Sequence, residues 1–382
     1  MTTDRAPGNA TLRLYSDTDW ESVRSFVLSR WGSGHPMADR RLFDWQFRGF
    51  GPARVEIRPI LLFLDGRVAG FRGLIPGLYQ VPFPDGMRVL PGASLAMWML
   101  APELRGLGLG RAMHAEAERL CPVLAGAGSN PRTSVPIYLE NGFQLLEAMN
   151  RFTAALDPAS CGKRFGEGAS LLPGVPPEAK GEPLCPSKAD PAFLAYAWEG
   201  SAYRAGFFSL FRDEEFWRWR ILESPGFRYH VFVDPGGSGF LTARTERFVD
   251  PPGEGGVLRL IDLVPARPSA WNGAEDPAFG RFLGRALAWA REAGCIAADY
   301  HCSGGMFKNL LQSLGFVLEA QGPGSGPPPL PRVFNGGRGD ERPINALAKA
   351  PVPVSFERSC MVKSDNDMDR PRRLGENGKI LY

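Results

Sequence analysis

The sequence predicts an α/β (α+β) chain of two related halves, each with a mixed, mostly antiparallel central sheet flanked by helices. Three observations predict it. An apolar run at residues 94–100 passes through a glycine-rich turn, Arg105-Gly106-Leu107-Gly108-Leu109-Gly110, into a helical pattern at 112–120. Two apolar runs, residues 60–64 and 67–71, flank Asp65-Gly66, a two-residue turn that closes β-hairpins. The second half echoes the first: Trp219 follows Trp45 by 174 residues, and Gly315-Phe316 follows Gly142-Phe143 by 173. Distant landmarks that keep nearly one offset point to duplication.

Taken in order, Thr11-Leu12-Arg13-Leu14-Tyr15 alternates as an opening strand. Asp17 or Asp19 can cap the helix that follows, whose buried face is Trp20, Val23, Phe26 and Val27. A turn at 32–36 leads to Phe43, Trp45 and Phe47, aromatics crowded into one short piece. After the hairpin, residues 78–81 and 87–90 continue the antiparallel sheet around Pro84-Asp85-Gly86, and residues 95–100 form the strand that enters the glycine turn. Residues 123–128 read as the next strand, a helix carries Tyr138, and residues 144–152 close the sheet. Proline-rich residues 172–177 and 182–186 interrupt regular structure.

The turn is built to receive a phosphate. Its glycines sit at every second position with an arginine on each side, and a helix starts at its end. Glycines fold sharply and expose consecutive amides; the helix adds unpaired N–H groups and the positive end of its dipole. It is not a P-loop, since no Lys-Ser/Thr follows, and Gly-x-Gly-x-Gly fails the Rossmann spacing. It does fit Gln/Arg-x-x-Gly-x-Gly/Ala at every fixed position, and with the preceding Ala101-Pro102-Glu103-Leu104 it resembles motif A of the GNAT acyltransferase superfamily. Residues 136–143, Pro-Ile-Tyr-Leu-Glu-Asn-Gly-Phe, are similar to that family's motif B.

The resemblance covers about residues 10–155 and implies an acetyl-CoA site. Arg105, Gly106, Leu107, Gly108, Leu109, Gly110, Arg111 and Ala112 would hold the pyrophosphate. Met99 and Leu100 would bind the pantetheine arm through main-chain groups of a splayed strand. Tyr138 would protonate the departing thiolate. Asn130 stands where the family has an asparagine after its fifth strand, though eight residues before Tyr138 rather than the usual seven. His35, Asp44 and Trp45 fall in the region that forms part of the family's acceptor site; each also has a plain structural reading, Trp45 as core and His35 as a loop residue.

By the same resemblance the second half is a degenerate GNAT-like domain. No Arg-x-x-Gly-x-Gly precedes its helix at 282–290. Trp271-Asn272-Gly273-Ala274-Glu275-Asp276 stands there, where two carboxylates would repel a pyrophosphate, and Leu311 replaces the tyrosine. The expected organisation is a catalytic domain over 1–156, a Pro/Gly-rich linker over 157–190, a degenerate domain over 191–321, and a second linker with a C-terminal tail over 322–382, one acyl-CoA site in all. The tail's Asp365, Asp367 and Asp369 alternate, but Arg370 stands where a calcium loop needs glycine, so a solvated acidic turn packing on the body through Met361 and Val362 is expected.

Bulk properties narrow the function. A formal net charge of +3 gives no footprint for nucleic acid or an anionic membrane surface. Six scattered cysteines without Cys-x-x-Cys, and four histidines without ligand spacing, leave no metal expected. No apolar run spans a bilayer and the start lacks a signal-peptide core, so a cytoplasmic protein is expected. The function expected is N-acetyl transfer from acetyl-CoA to a primary amine of a small metabolite, such as an amino sugar, by direct attack. The alternatives are a non-catalytic acyl-CoA-binding regulator and a tRNA-dependent aminoacyl transferase of the peptidoglycan-branching type.

Overall fold

The structure is a computed structural model that describes residues 9–48, 57–176, 181–204, 206–249, 252–266, 276–319, 330–331, 344–365, 373–374 and 380–381. The first half runs β1 (Ala10–Leu14), α1 (Trp20–Trp31), α2 (Arg40–Arg48), β2 (Ile60–Leu64), β3 (Arg67–Phe83), β4 (Gly86–Leu100), α3 (Leu109–Leu120), β5 (Val123–Ala127), α4 (Ser134–Glu140), β6 (Gln144–Ala148) and β7 (Asn150–Ala155). Then follow α5 (Pro158–Phe165), α6 (Glu167–Ser170), α7 (Pro191–Glu199), β8 (Ser209–Leu210) and α8 (Glu214–Phe216), which continues as a π-helical stretch over Trp217–Leu222. The second half adds β9 (His230–Val233), β10 (Gly239–Val249), β11 (Pro252–Pro265), α9 (Pro277–Glu292), β12 (Cys295–Cys302), α10 (Lys308–Ser313), β13 (Val317–Leu318) and β14 (Asn345–Lys349). A small hairpin, β15 (Arg373–Leu374) with β16 (Ile380–Leu381), follows.

Local chemistry explains the first sheet's turns. Asp65 and Gly66 take φ of 49° and 77°, the doubly positive turn that matches strand twist, and Leu64 pairs with Arg67. Pro84-Asp85 closes the second hairpin, where Phe83 faces Gly86. Pro136 lies in the first turn of α4, where its missing N–H leaves no helix bond unmade.

Two sheets carry the chain, in the orders β1-β2-β3-β4-β5-β14-β6 and β13-β7-β12-β11-β10-β9, with β8 attached to β3. The orders match: β4 and β5 are parallel with β14 then β6 antiparallel, while β11 and β12 are parallel with β7 then β13 antiparallel. Each sheet thus takes the strand next to one edge, β14 beside β6 and β7 beside β13, from the other half. Sheet membership therefore departs from the boundaries expected at 156 and 322. Those boundaries put β7 with the first domain, yet it lies in the second sheet; they put β14 in the tail, yet it lies in the first sheet. Nor do residues 144–152 form one closing strand; they split between β6 and β7, one in each sheet. The expected linker over 157–190 opens with α5 and α6, and the stretch 322–329 lies outside the described residues.

Duplication shows at the seam. The Trp45 indole donates to the Trp219 carbonyl at 2.9 Å, and the Trp219 indole donates to the Trp45 carbonyl at 2.7 Å. Residue i meets j as j meets i, the signature of a twofold-related contact. The Gly-Phe echo has matching backbone: Gly142 and Gly315 have φ of 80° and 83°, and the amides of Phe143 and Phe316 reach back to the carbonyls of Tyr138 and Leu311. One apolar core joins both halves around α1, α2, α7 and α9, and a second lies between the first sheet and α3 and α4.

Candidate active site

The site begins where two parallel strands part. β4 and β5 pair from Gly92 with Val123 to Leu95 with Gly126, and no β4–β5 pair follows among the described residues. Met97 is the cause: it is a bulge between the pairs Gly73–Ala96 and Arg72–Trp98, held at a φ of 40°. Beyond it Trp98, Met99 and Leu100 pair with β3 on one edge while their β5-facing edge stays unpaired. That edge offers main-chain groups to an extended ligand, as an added strand would use them.

The strand delivers the chain to the turn. A short 3-10 segment over Pro102–Leu104 leads to Gly106 and Gly108, at φ of 82° and 75°, in the left-handed region where a side chain is strained. A Cβ on either would meet no atom within 4 Å, so the space over both is open. Gly110, by contrast, lets α3 approach β4 closely; a Cβ there would lie 3.4 Å from Leu100 and 3.5 Å from Trp98. Gly108 caps α3 without a side chain, and the helix bonds begin with the Ala112 amide on the Gly108 carbonyl. The amides before it point out of the helix end. Arg105, Leu107, Arg111 and Ala112 are exposed around this end, while Leu109 and Gly110 are half-buried. Arg111 pairs with Glu140 at 2.5 Å, and Arg105 leans on the Met99 sulfur at 3.9 Å.

Tyr138 reaches the same strand from α4. It is only 2% exposed, with its ring against Trp98, His114 and Phe143. Its hydroxyl accepts a 2.6 Å hydrogen bond from Nη2 of buried Arg72 on β3. His114, on α3, lies 3.2 Å from Glu118 but without hydrogen-bond geometry, and Lys349 on β14 pairs with the same carboxylate at 3.1 Å. Burial, with Arg72 and Lys349 nearby, pushes the His114 imidazole down to about 3. Sequence reasoning missed Arg72, His114 and Trp98. Arg72 did carry a signal, as a single cation inside the apolar run Val68-Ala69-Gly70-Phe71-Arg72-Gly73-Leu74-Ile75.

Solved structures share this architecture. A GCN5-related N-acetyltransferase from Anabaena variabilis superposes with a TM-score of 0.54 at 13% identity, over 89% of this chain and 72% of that one. One from Kribbella flavida gives 0.53 at 16% identity, over 90% and 71%. Saccharomyces cerevisiae N-myristoyltransferase with bound myristoyl-CoA gives 0.51 at 12% identity, over 95% and 84%. The chain has the GNAT fold. No protein-family model and no curated protein matches the sequence.

The second copy of the GNAT fold treats its own gap differently. β11 and β12 pair as far as Leu260 with Tyr300, up to a bulge at Ile261 that mirrors Met97. Beyond that pair, with β7 on its other edge, Cys302 bridges Val362, and the Ser303 amide donates to the Met361 carbonyl at 2.8 Å. The chain's own residues 361–362 thus fill the gap. Arg212 fastens them: buried, it donates to Asp262 of β11 at 2.5 Å and to Asp365 at 2.7 Å. Asp365 is therefore buried rather than part of a solvated turn; Asp367 and Asp369 lie outside the described residues. The helix end is closed too, because Asp276 accepts from the amides of Ala278 and Phe279. One of the two carboxylates expected to repel a pyrophosphate is thus a helix cap, and residues 271–275 lie outside the described residues.

The remaining sequence candidates are dispersed. Asn130 lies exposed between β5 and α4, where its carbonyl accepts from Val135 and its side chain from Arg132. His35 caps a short 3-10 turn through its Nδ1 and packs near Trp31. Asp44 pairs with Arg40 at 2.7 Å and Arg48 at 3.4 Å. Trp45 is 8% exposed and its one donor is bound by Trp219, so the structure makes it a seam residue rather than a ligand contact. A cavity of about 400 Å³ bounded by Asp157, Val175, Leu287 and Arg291 includes none of the turn residues. Among the described residues no cluster of His, Cys, Asp or Glu can hold a metal, and no helix is long and apolar enough to cross a membrane.

Proposed function

We propose that the first half transfers an acyl group from acyl-CoA, acetyl-CoA in the first instance, to the primary amine of a small molecule. One observation carries this reading: the unpaired edge of β4 beyond Leu95 runs directly into the open glycine turn at the start of α3. An extended thioester arm and a diphosphate need those two features in that order. The N-myristoyltransferase neighbour, solved with myristoyl-CoA, supports a coenzyme A thioester as the donor class.

The turn amides and Arg105 neutralise the diphosphate. Main-chain N–H groups on the free edge hold the arm and polarise the thioester carbonyl. The amine attacks directly, and Tyr138 protonates the leaving sulfur. The filled gap and capped helix of the second half support a single donor site per chain. Isothermal titration with coenzyme A should give one equivalent per chain, and thiol release from acyl-CoA should rise with some member of an amine panel. Two equivalents, or no binding at millimolar coenzyme A by folded protein, would overturn the proposal.

A further inference from the structure

Arg72 is a buried cation without an anionic partner among the described residues. Its residue is 2% exposed, its guanidinium lies 4.6 Å above Trp98 and 5.6 Å from the Tyr138 ring, and its Nε has no hydrogen-bond partner. Among the described residues its hydrogen-bond partner is the Tyr138 oxygen, and no carboxylate pairs with it. Two other buried arginines, Arg212 and Arg259, are neutralised: Arg212 by Asp262 and Asp365, Arg259 by Glu246 and Asp299. An uncompensated buried charge is costly, so a site that keeps one is prepared for negative charge from elsewhere. The proposed reaction makes such a charge beside it.

We infer that Arg72 is a positioning residue for acyl transfer, acting through Tyr138; this rests on the function proposed above. It occupies one lone pair of the phenolic oxygen, which turns the O–H away from β3 and fixes the ring against Trp98, on the free stretch of β4. When the tetrahedral adduct collapses, the C–S bond breaks and its electron pair leaves on sulfur. The Tyr138 proton moves to that sulfur, giving free coenzyme A thiol, and the phenolate left behind faces the guanidinium. The surplus proton of the adduct's ammonium group passes to solvent, and solvent returns one to the phenolate.

The second copy of the fold agrees with this assignment. Where the tyrosine is replaced by Leu311, the partner of the equivalent strand position is also changed: Thr242 faces Asp262 where Arg72 faces Trp98. The two equivalent positions, Thr242 and Leu311, thus carry neither cation nor phenol; Arg212 and Tyr203 meet at Asp262 instead, from other elements.

A double-mutant cycle tests the inference, with acetyl-CoA as donor, water or a panel amine as acceptor, and free thiol as the readout. Arg72→Gln should lower kcat about 10- to 100-fold, with KM for acetyl-CoA and coenzyme A affinity by calorimetry within about threefold of the parent. Arg72→Lys should recover part of that loss, and it also serves if the Gln variant fails to fold. In a Tyr138→Phe background either substitution should cost nothing further. Full additivity of the two losses, or an Arg72 effect confined to KM, overturns the positioning role while leaving the acyl-CoA reading intact. Unchanged kcat in Tyr138→Phe alone removes the phenol, and Arg72 with it, from the mechanism. Loss of coenzyme A binding in the parent protein would instead overturn the function.

Discussion

Replacing Gly108 by aspartate would copy the closed helix end of the second half into the open one. In α9, Asp276 accepts from the amides of Ala278 and Phe279 at 3.0 and 3.1 Å. Two and three residues beyond Gly108 stand Gly110 and Arg111, so the new carboxylate would take up amides that the proposed diphosphate needs. The fold should tolerate the change. A Cβ at 108 meets nothing within 4 Å, and the φ of 75° suits aspartate better than most side chains. The left-handed strain of about 1–2 kcal/mol exceeds a capping gain over glycine of about a few tenths of a kcal/mol, a modest net cost. Binding is another matter. A carboxylate ~4 Å from one phosphate charge costs about 1 kcal/mol at the dielectric of water and about 4 kcal/mol at the effective value near a protein surface. Coenzyme A affinity should therefore fall between about fivefold and about a thousandfold, less at high salt. Gly108→Ala is the control for strain alone. Calorimetric titration at two salt concentrations, beside thermal melts, reads both effects. A folded Gly108→Asp protein that binds coenzyme A within about threefold of the parent would refute the placement of the diphosphate on this turn.

Two further outcomes follow from the geometry. Trp45→Phe and Trp219→Phe should each destabilise by about 1–3 kcal/mol, since each strands one buried carbonyl, and by similar amounts because the bonds are reciprocal; urea unfolding with one neutral and one severe variant would contradict the twofold seam. His114 should make the fold acid-sensitive. Burial holds its folded-state pKa at about 3 against an ordinary value of 6.5, so the unfolded chain binds the extra proton between those values. Stability is then complete above pH 6.5 and falls as acid is added toward pH 3, by several kcal/mol in all. The difference in unfolding free energy between His114→Gln and the parent should shift across that window; a constant difference would mean the imidazole is already charged in the fold.

The sequence by itself determined what depends on near neighbours along the chain. Asp65-Gly66 dictated a hairpin because few residues accept two positive φ values in succession. The glycines at 106 and 108 announced a sharp turn, which takes positive φ at both, and the apolar run before and helical run after placed it between β4 and α3. The paired offsets disclosed the duplication, and Trp45 and Trp219 proved to be partners as well as equivalents.

What only the tertiary structure decided was everything joining residues whose separation the pattern does not encode. β7 and β14 are short strands of mixed composition that would satisfy either sheet; which sheet takes each depends on open edges that exist only once both halves have formed. Residues 361–362 read as a tail because nothing local says that a gap between β11 and β12 awaits them. Arg72 and Tyr138, 66 residues apart, became one unit through a single 2.6 Å contact. Periodicity reports the face a side chain takes on its own element, whereas the charge it meets there is set by chain brought in from far away.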